Sequence, residues 1–175
     1  MAKIRYINGF DITNGFWGTS VSVWFQGCEH MCKNCFNPET WNYFDDSVKE
    51  KDNKKVAKEI LIELDKYFPK TLTFLGGDPM AKYNRNDLYE IIKIIKKEKP
   101  NLKIAMWTGY TFNQIKNDRV VPLIDVIVDG EYIEEFHCDY KITKDKRDKY
   151  RGSTNQRIID VQASLKQNKI ITYNK

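Results

Sequence analysis

The stretch TSVSVWFQGCEHMCKNCFNP, residues 19–38, decides how this chain is read. Its first seven residues are β-branched, aromatic or small, and they predict a strand over 19–25. A loop over 27–38 follows and carries Cys28, Cys32 and Cys35 in the spacing C-x3-C-x2-C. Thiolates are soft ligands that select iron–sulfur clusters, zinc or Cu(I). Three thiols within eight residues, in a chain with four cysteines, point to metal or redox chemistry and away from structural disulfides.

Two donor arrangements are open at this level. A compact loop can set three sulfurs around one side of a four-iron cubane and leave the last iron without a protein ligand. Zinc is the alternative, with His30, His137 or Cys138 completing a tetrahedron. His30 is expected to be exposed rather than ligating. Cys138 is expected to be a lone thiol. Phe36 and Trp41 are placed to shield a metal.

Downstream of the cysteines, strands alternate with helices. Asn53 is a candidate cap for a helix over 54–68, where Val56, Ala57, Ile60, Leu61, Leu64 and Phe68 recur at helical spacing and Pro69 stops it. TLTFL at 71–75 reads as a short buried strand. Asn86 is a candidate cap for a second helix, whose Leu88, Ile91, Ile92 and Ile95 form an apolar stripe, and Pro100 ends that segment. Further strands are predicted over 102–107, 124–128, 157–161 and 170–173, with a short helix over 111–117. Residues 131–154 read as a long polar loop or lid. The alternation implies an α/β fold with a mostly parallel sheet and crossover helices. The cysteines, Gly76–Pro79, Thr108–Gly109 and Asp129–Gly130 all follow strands, so the fold brings them to one sheet edge, where parallel α/β folds bind ligands.

The 175 residues fit one domain spanning 1–175. A closed eight-stranded α/β barrel needs about 250 residues, so only a partial one is accessible. Hydrophobic residues make up 41% and aromatics 13%, enough for a core. The net charge of +5 comes from 29 basic and 24 acidic residues interspersed along the chain, which argues against a nucleic-acid groove. No run approaches the roughly 20 apolar residues of a membrane span, and no signal core follows the N-terminal charges, so the expectation is a cytoplasmic protein.

Gly76-Gly77-Asp78-Pro79 after the second strand suits close approach of a ligand to the backbone, with the Asp78 carboxylate near a cationic amine. The same tetrapeptide is also ordinary turn chemistry. Trp107-Thr108-Gly109-Tyr110 offers a hydroxyl and a glycine shelf, or simply core aromatics.

C-x3-C-x2-C after one strand and G-G-D-P after the next resemble the radical S-adenosylmethionine (SAM) superfamily. The wider set is FD at 10–11, NGFWG at 14–18, QGC at 26–28, CFNP at 35–38, Trp41, WTGY at 107–110, DVIVDG at 125–130 and RGSTNQR at 151–157. Together these resemble the activating enzymes of anaerobic (class III) ribonucleotide reductases, over about residues 10–161. The resemblance implies an open, partial α/β barrel. It implies that Cys28, Cys32 and Cys35 bind a [4Fe–4S] cluster, with SAM on the open iron. It implies SAM contacts from Asn34, Cys35 and Phe36, its amino group on Gly76, Gly77 and Asp78, and its ribose or methionine part near Thr108 and Asp129. It implies a flavodoxin-type electron donor and a glycyl radical made on the reductase large subunit. Asn34 stands where many of the superfamily carry an aromatic, and Asp78 where Glu is more widespread. Residues 131–150 are either part of a docking surface for that subunit or an unconstrained loop. An activase for another glycyl-radical enzyme, of the pyruvate formate-lyase type, is the nearest rival.

Overall fold

The structure is a computed structural model and describes residues 1–66 and 71–173. The elements in chain order are β1 (Ala2–Asp11), β2 (Ser20–Phe25), β3 (Glu50–Lys51), α1 (Asn53–Asp65), β4 (Thr71–Gly76), α2 (Arg85–Glu98), β5 (Ile104–Thr108), α3 (Phe112–Ile115), β6 (Val126–Asp129), α4 (Tyr140–Thr143), β7 (Arg157–Asp160) and α5 (Val161–Gln167). The strands form one seven-stranded sheet in the order β3-β1-β2-β4-β5-β6-β7, which does not close on itself.

The sheet is mixed. β2, β4, β5 and β6 run parallel through its middle, as the helix-separated strands require. Both margins are antiparallel, with β1 and β3 on one side and β7 on the other. Only the four central strands therefore deliver their C-termini to a common edge. The sequence reading missed β1. Its Asn8-Gly9 pair looks like a turn, but the strand passes through by shifting register between Asn8 and Asp11. β7 turns back because the 131–154 connection lacks the long helix of a crossover.

Period-two alternation sorts the central strands into two faces. Val21, Val23, Phe25, Leu72, Phe74, Ile104, Met106 and Ile127 pack beneath α1 and α2, against Val56, Ile60, Leu88, Ile91, Ile92 and Ile95. Each such buried side chain contributes about 1.5–3 kcal/mol. The opposite face carries Ser20, Ser22, Trp24, Thr73, Leu75, Ala105, Trp107, Val126 and Val128. Part of it is covered by Phe16, Tyr150 and Tyr173. Ser20, Ser22 and Thr73 satisfy one another there through hydroxyl contacts of 3.0 and 3.2 Å.

Several local expectations shift by one or two residues. Asp52, not Asn53, caps α1, accepting from the Lys54 and Lys55 amides at 2.9 and 3.2 Å. Asn53 instead donates to Asp87 at 2.7 Å. The predicted end of that helix at Phe68 and Pro69 lies outside the described residues. α2 begins after Asn84 rather than Asn86, and the Asn84 side chain is diverted from capping to a loop described below. α3 is bounded by a capping box between Thr111 and Gln114. Residues 170–173 make a single bridge, Ile159 to Thr172, rather than a strand. Residues 131–154 are not structureless: they hold α4 and two short 3-10 turns. α5 was not foreseen; Asp160 caps it, accepting from the Ala163 amide at 2.9 Å.

Candidate metal centre

The helix-free face of the sheet opens, at the C-terminal ends of β2, β4 and β5, into a cavity of about 350 Å³. Cys28, Cys32 and Cys35 all line it, together with Phe36, Gly76, Gly77 and Thr108. Trp24 and Leu75 from the inward-facing strand positions form its floor, with Tyr6 stacked on Trp24 at 4.4 Å. Asn14, His30, Asn37, Trp107, Gly109, Gly130, Tyr132, Gly152 and Gln156 complete the walls. Three strand ends and the segment after β6 thus meet around three thiols.

The cysteine loop is built by backbone geometry. Gly27 takes φ +104 as the chain leaves β2. The Gly27 and Cys28 amides then donate to the Thr40 and Trp41 carbonyls at 2.7 and 3.0 Å. Met31 and Asn34, each just before a cysteine, sit in the left-handed region at φ 49 and 55. Asn tolerates that conformation; Met does so at a cost of about 1–2 kcal/mol. These reversals fold the arc inward. The Asn34 side chain is exposed and donates to Glu134 at the rim, outside the cavity lining. Phe36 is 65% exposed and packs edge-on against Tyr132 at 5.3 Å.

Gly76 and Gly77 have a specific steric reason to be glycine. A Cβ on Gly76 would lie 2.6 Å from the Phe25 amide nitrogen, and one on Gly77 would lie 2.3 Å from the Gly27 carbonyl oxygen. Gly76 also holds φ +110. Both glycines therefore let β4 dock against the chain leaving β2, while still bordering the cavity. The Gly77 and Asp78 amides donate to the Phe25 and Gly27 carbonyls, each at 2.8 Å. Asn84 adds a clasp from below, donating to the carbonyls of Gln26, Gly27 and Asp78 at 3.1, 3.3 and 2.9 Å.

Asp78 is 1% exposed, and both carboxylate oxygens are engaged. Oδ1 accepts from the Met80 amide at 2.7 Å. Oδ2 accepts from Thr108 Oγ1 at 3.0 Å and the Gly109 amide at 2.9 Å, and lies 2.9 Å from His30 Nε2. His30 was expected to be exposed; its side chain is 9% exposed instead. Its other nitrogen lies 3.0 Å from Glu131. Both nitrogens face carboxylates, so both can donate when the ring is protonated, and the bond to Asp78 raises the His30 pKa. The expectation of an exposed His30 missed its tertiary partners, which are 48 and 101 residues away.

Asp129 is 1% exposed and lies behind the cavity wall. It accepts from the Arg157 guanidinium through both oxygens and from the Phe112 amide at 2.6 Å. Burial pushes the Cys28 thiol up to about 11 and raises Cys32 as well. A positive iron centre reverses that preference, since a coordinating thiol is deprotonated outright. Cys138 does not line the cavity; its sulfur faces the Arg151 carbonyl at 3.5 Å, and burial pushes it up to about 11. His137 contacts Tyr132 instead of the cysteines.

Among the described residues no three His, Cys, Asp or Glu side chains converge closely enough to hold a single ion. The tetrahedral alternative with His30, His137 or Cys138 is therefore not assembled. Three thiols around a broad cavity suit a cluster, in which each sulfur meets a different iron.

Comparison with known proteins supports an iron–sulfur cluster in this chain. The family model of a 4Fe-4S single cluster domain matches residues 14–159. An anaerobic ribonucleoside-triphosphate reductase-activating protein from Enterobacteria phage T4 is 32% identical over 148 residues, covering 85% of this chain and 87% of its own. The protein of the same name from Pasteurella multocida is 34% identical over 157 residues, covering 83% and 89%. That from Escherichia coli K12 is 31% identical over 150 residues, covering 83% and 90%. With a 4Fe-4S domain over most of its length and relatives of one name along nearly all of theirs, the chain belongs to the family of anaerobic ribonucleoside-triphosphate reductase-activating proteins.

Proposed function

We propose that this chain is a single-domain radical SAM activase that makes a glycyl radical on the large subunit of an anaerobic ribonucleoside-triphosphate reductase. One observation carries the reading: Cys28, Cys32 and Cys35 share a cavity with Gly76, Gly77 and Thr108, while the fourth cysteine lies elsewhere. Three thiolates would hold the cluster and leave a corner for SAM. When bound, the cluster would supply one electron for the reductive cleavage of SAM, the chemistry needed to make a glycyl radical on the reductase. A flavodoxin-type donor supplies the electron.

The residues of the chain place and shield. Cys35, Phe36, Gly76, Gly77 and Thr108 border the cavity and would meet SAM directly. The Asp78 and Asp129 carboxylates are already engaged by protein donors and would act by holding this frame; Asn34 would act from the rim. Trp24, Leu75 and Trp107 give the floor an apolar lining that excludes water from a reactive carbon centre. The sheet would serve as a partial α/β barrel, whose unclosed side admits a loop of the reductase. A glycine is a suitable target because no side chain screens its Cα. Exposed Phe36 beside Tyr132 stands at that mouth.

Anaerobic reconstitution with iron and sulfide, followed by a reductant and SAM, tests the reading. The expected result is 5′-deoxyadenosine, plus a glycyl-radical EPR signal when the reductase large subunit is present. A cluster-loaded protein that leaves SAM intact defeats the proposal. A signal on a pyruvate formate-lyase-type partner alone defeats the choice of reductase.

A further inference from the structure

The cysteine loop spans the ends of three strands, and something must hold it there in the correct shape. Its backbone bonds lie at its two ends: Gly27 and Cys28 to residues 40–41, and Cys35 to Cys32. Between them, among the described residues, Glu29 and His30 reach the rest of the fold through their side chains. Glu29 accepts from Tyr110 Oη at 2.7 Å and pairs with Lys82 at 3.0 Å. His30 reaches deeper, to Asp78 at the end of β4 and to Glu131 after β6. The imidazole ring also stands edge-on to Tyr110 at 4.7 Å. The β5 end makes room for it: a Cβ on Gly109 would lie 2.3 Å from His30 Cδ2.

We propose that His30 is the positioning residue of the cluster loop. Its ring, clamped between Asp78 and Glu131, holds Cys28 and Cys32 in register with the strand ends. Asp78 works chiefly through this clamp, because its four described hydrogen bonds all end on protein donors. The WTGY segment acts in the same device, since Thr108 and Gly109 orient the Asp78 oxygen that meets His30. An ammonium group of a ligand would have to pass these donors to reach Asp78, which is 1% exposed. The proposal rests on the reading of the three cysteines as cluster ligands, but its core claim concerns the loop itself and is measurable without metal.

The test uses the full chain and three variants: His30→Ala, His30→Gln and Gly109→Ala. In the metal-free protein, maleimide alkylation of Cys28 and Cys32 is followed by peptide mass spectrometry. His30→Ala and Gly109→Ala should speed it about 10-fold, the scale of one lost charge-assisted hydrogen bond. His30→Gln keeps a donor for Asp78 and should recover part of the parent rate. Cys138, outside the loop, should react at the parent rate throughout. In reconstituted protein, the first two variants should lose iron to a chelator faster and show a changed EPR line shape of the reduced cluster. Parent-like alkylation in His30→Ala overturns the proposal, as does a parent-like Gly109→Ala beside an altered His30→Ala. Loss of the native far-UV circular dichroism in His30→Ala also overturns it, since His30 would then hold the whole fold rather than the loop. If the parent takes up no cluster, the activase reading fails while the alkylation rates still judge His30.

Discussion

The α-hydrogen of Gly77 that a Cβ would replace points at the Gly27 carbonyl oxygen, leaving 2.3 Å for a carbon that needs more than 3 Å. The loop after β2 and the loop after β4 therefore touch backbone to backbone. Gly77→Ala should force them apart and destabilise the fold by about 1–3 kcal/mol, the usual penalty of overpacking. Gly76→Ala should cost more, because its left-handed φ adds strain of about 1–2 kcal/mol to the same crowding. Urea unfolding of the metal-free proteins measures both, and reconstituted iron content should fall in parallel.

The thiols divide into three that share the cavity and one that does not. Cys28→Ala, Cys32→Ala and Cys35→Ala should each lose the intact cluster and all SAM cleavage. Cys138→Ala should keep both, read as iron and sulfide per chain and as 5′-deoxyadenosine formed. Loss of the cluster from Cys138→Ala alone would refute the three-thiolate site.

Asp129 and Arg157 join β6 to β7 through a buried carboxylate. Arg157→Ala strands that charge with the Phe112 amide as its remaining described donor. The expected loss is about 2–4 kcal/mol, toward the low side for a broken buried pair because Arg157 is 38% exposed. Arg147→Ala breaks only a surface pair with Asp145 and should leave stability close to that of the parent. Thermal or urea unfolding of the two variants side by side distinguishes these cases.

Asp148 fastens the segment before β7. Burial pushes its carboxyl up, but hydrogen bonds from Thr143, Arg151 and Cys138 outweigh that and hold its pKa below the ordinary 3.8. A depressed folded-state pKa means the stabilisation is complete above 3.8 and is lost as pH falls through the lower folded value. Hydrogen-exchange protection factors of residues 137–156, with the intrinsic pH dependence of exchange divided out, should therefore fall below about pH 4. In Asp148→Asn the segment should exchange faster at neutral pH and lose that acid step.

The trio of clustered thiols, the two apolar helix stripes and the central parallel strands were legible along the chain. Each depends on residues close in sequence: thiol spacing, Leu88 with Ile91, Ile92 and Ile95 at helical period, and short β-branched runs. The sheet margins were not legible. β1 carries Asn8-Gly9, whose turn signal is overruled by pairing with β2, and nothing local in residues 157–160 announces that they run against β6. Cap positions moved for a similar reason. Asn84 and Asn53 have capping chemistry, but long-range partners take their side chains.

The chemistry of the site was thus determined by the sequence itself, because thiolate softness, glycine size and carboxylate charge belong to residue types and survive any fold. Which of those groups face the cavity was decided by the tertiary structure alone. Asp78 and Asp129 read as open acceptors in one dimension; in three, protein donors engage both oxygens of each, since a buried carboxylate is stable only when its oxygens are matched. His30, expected at the surface, is drawn inward by the same requirement.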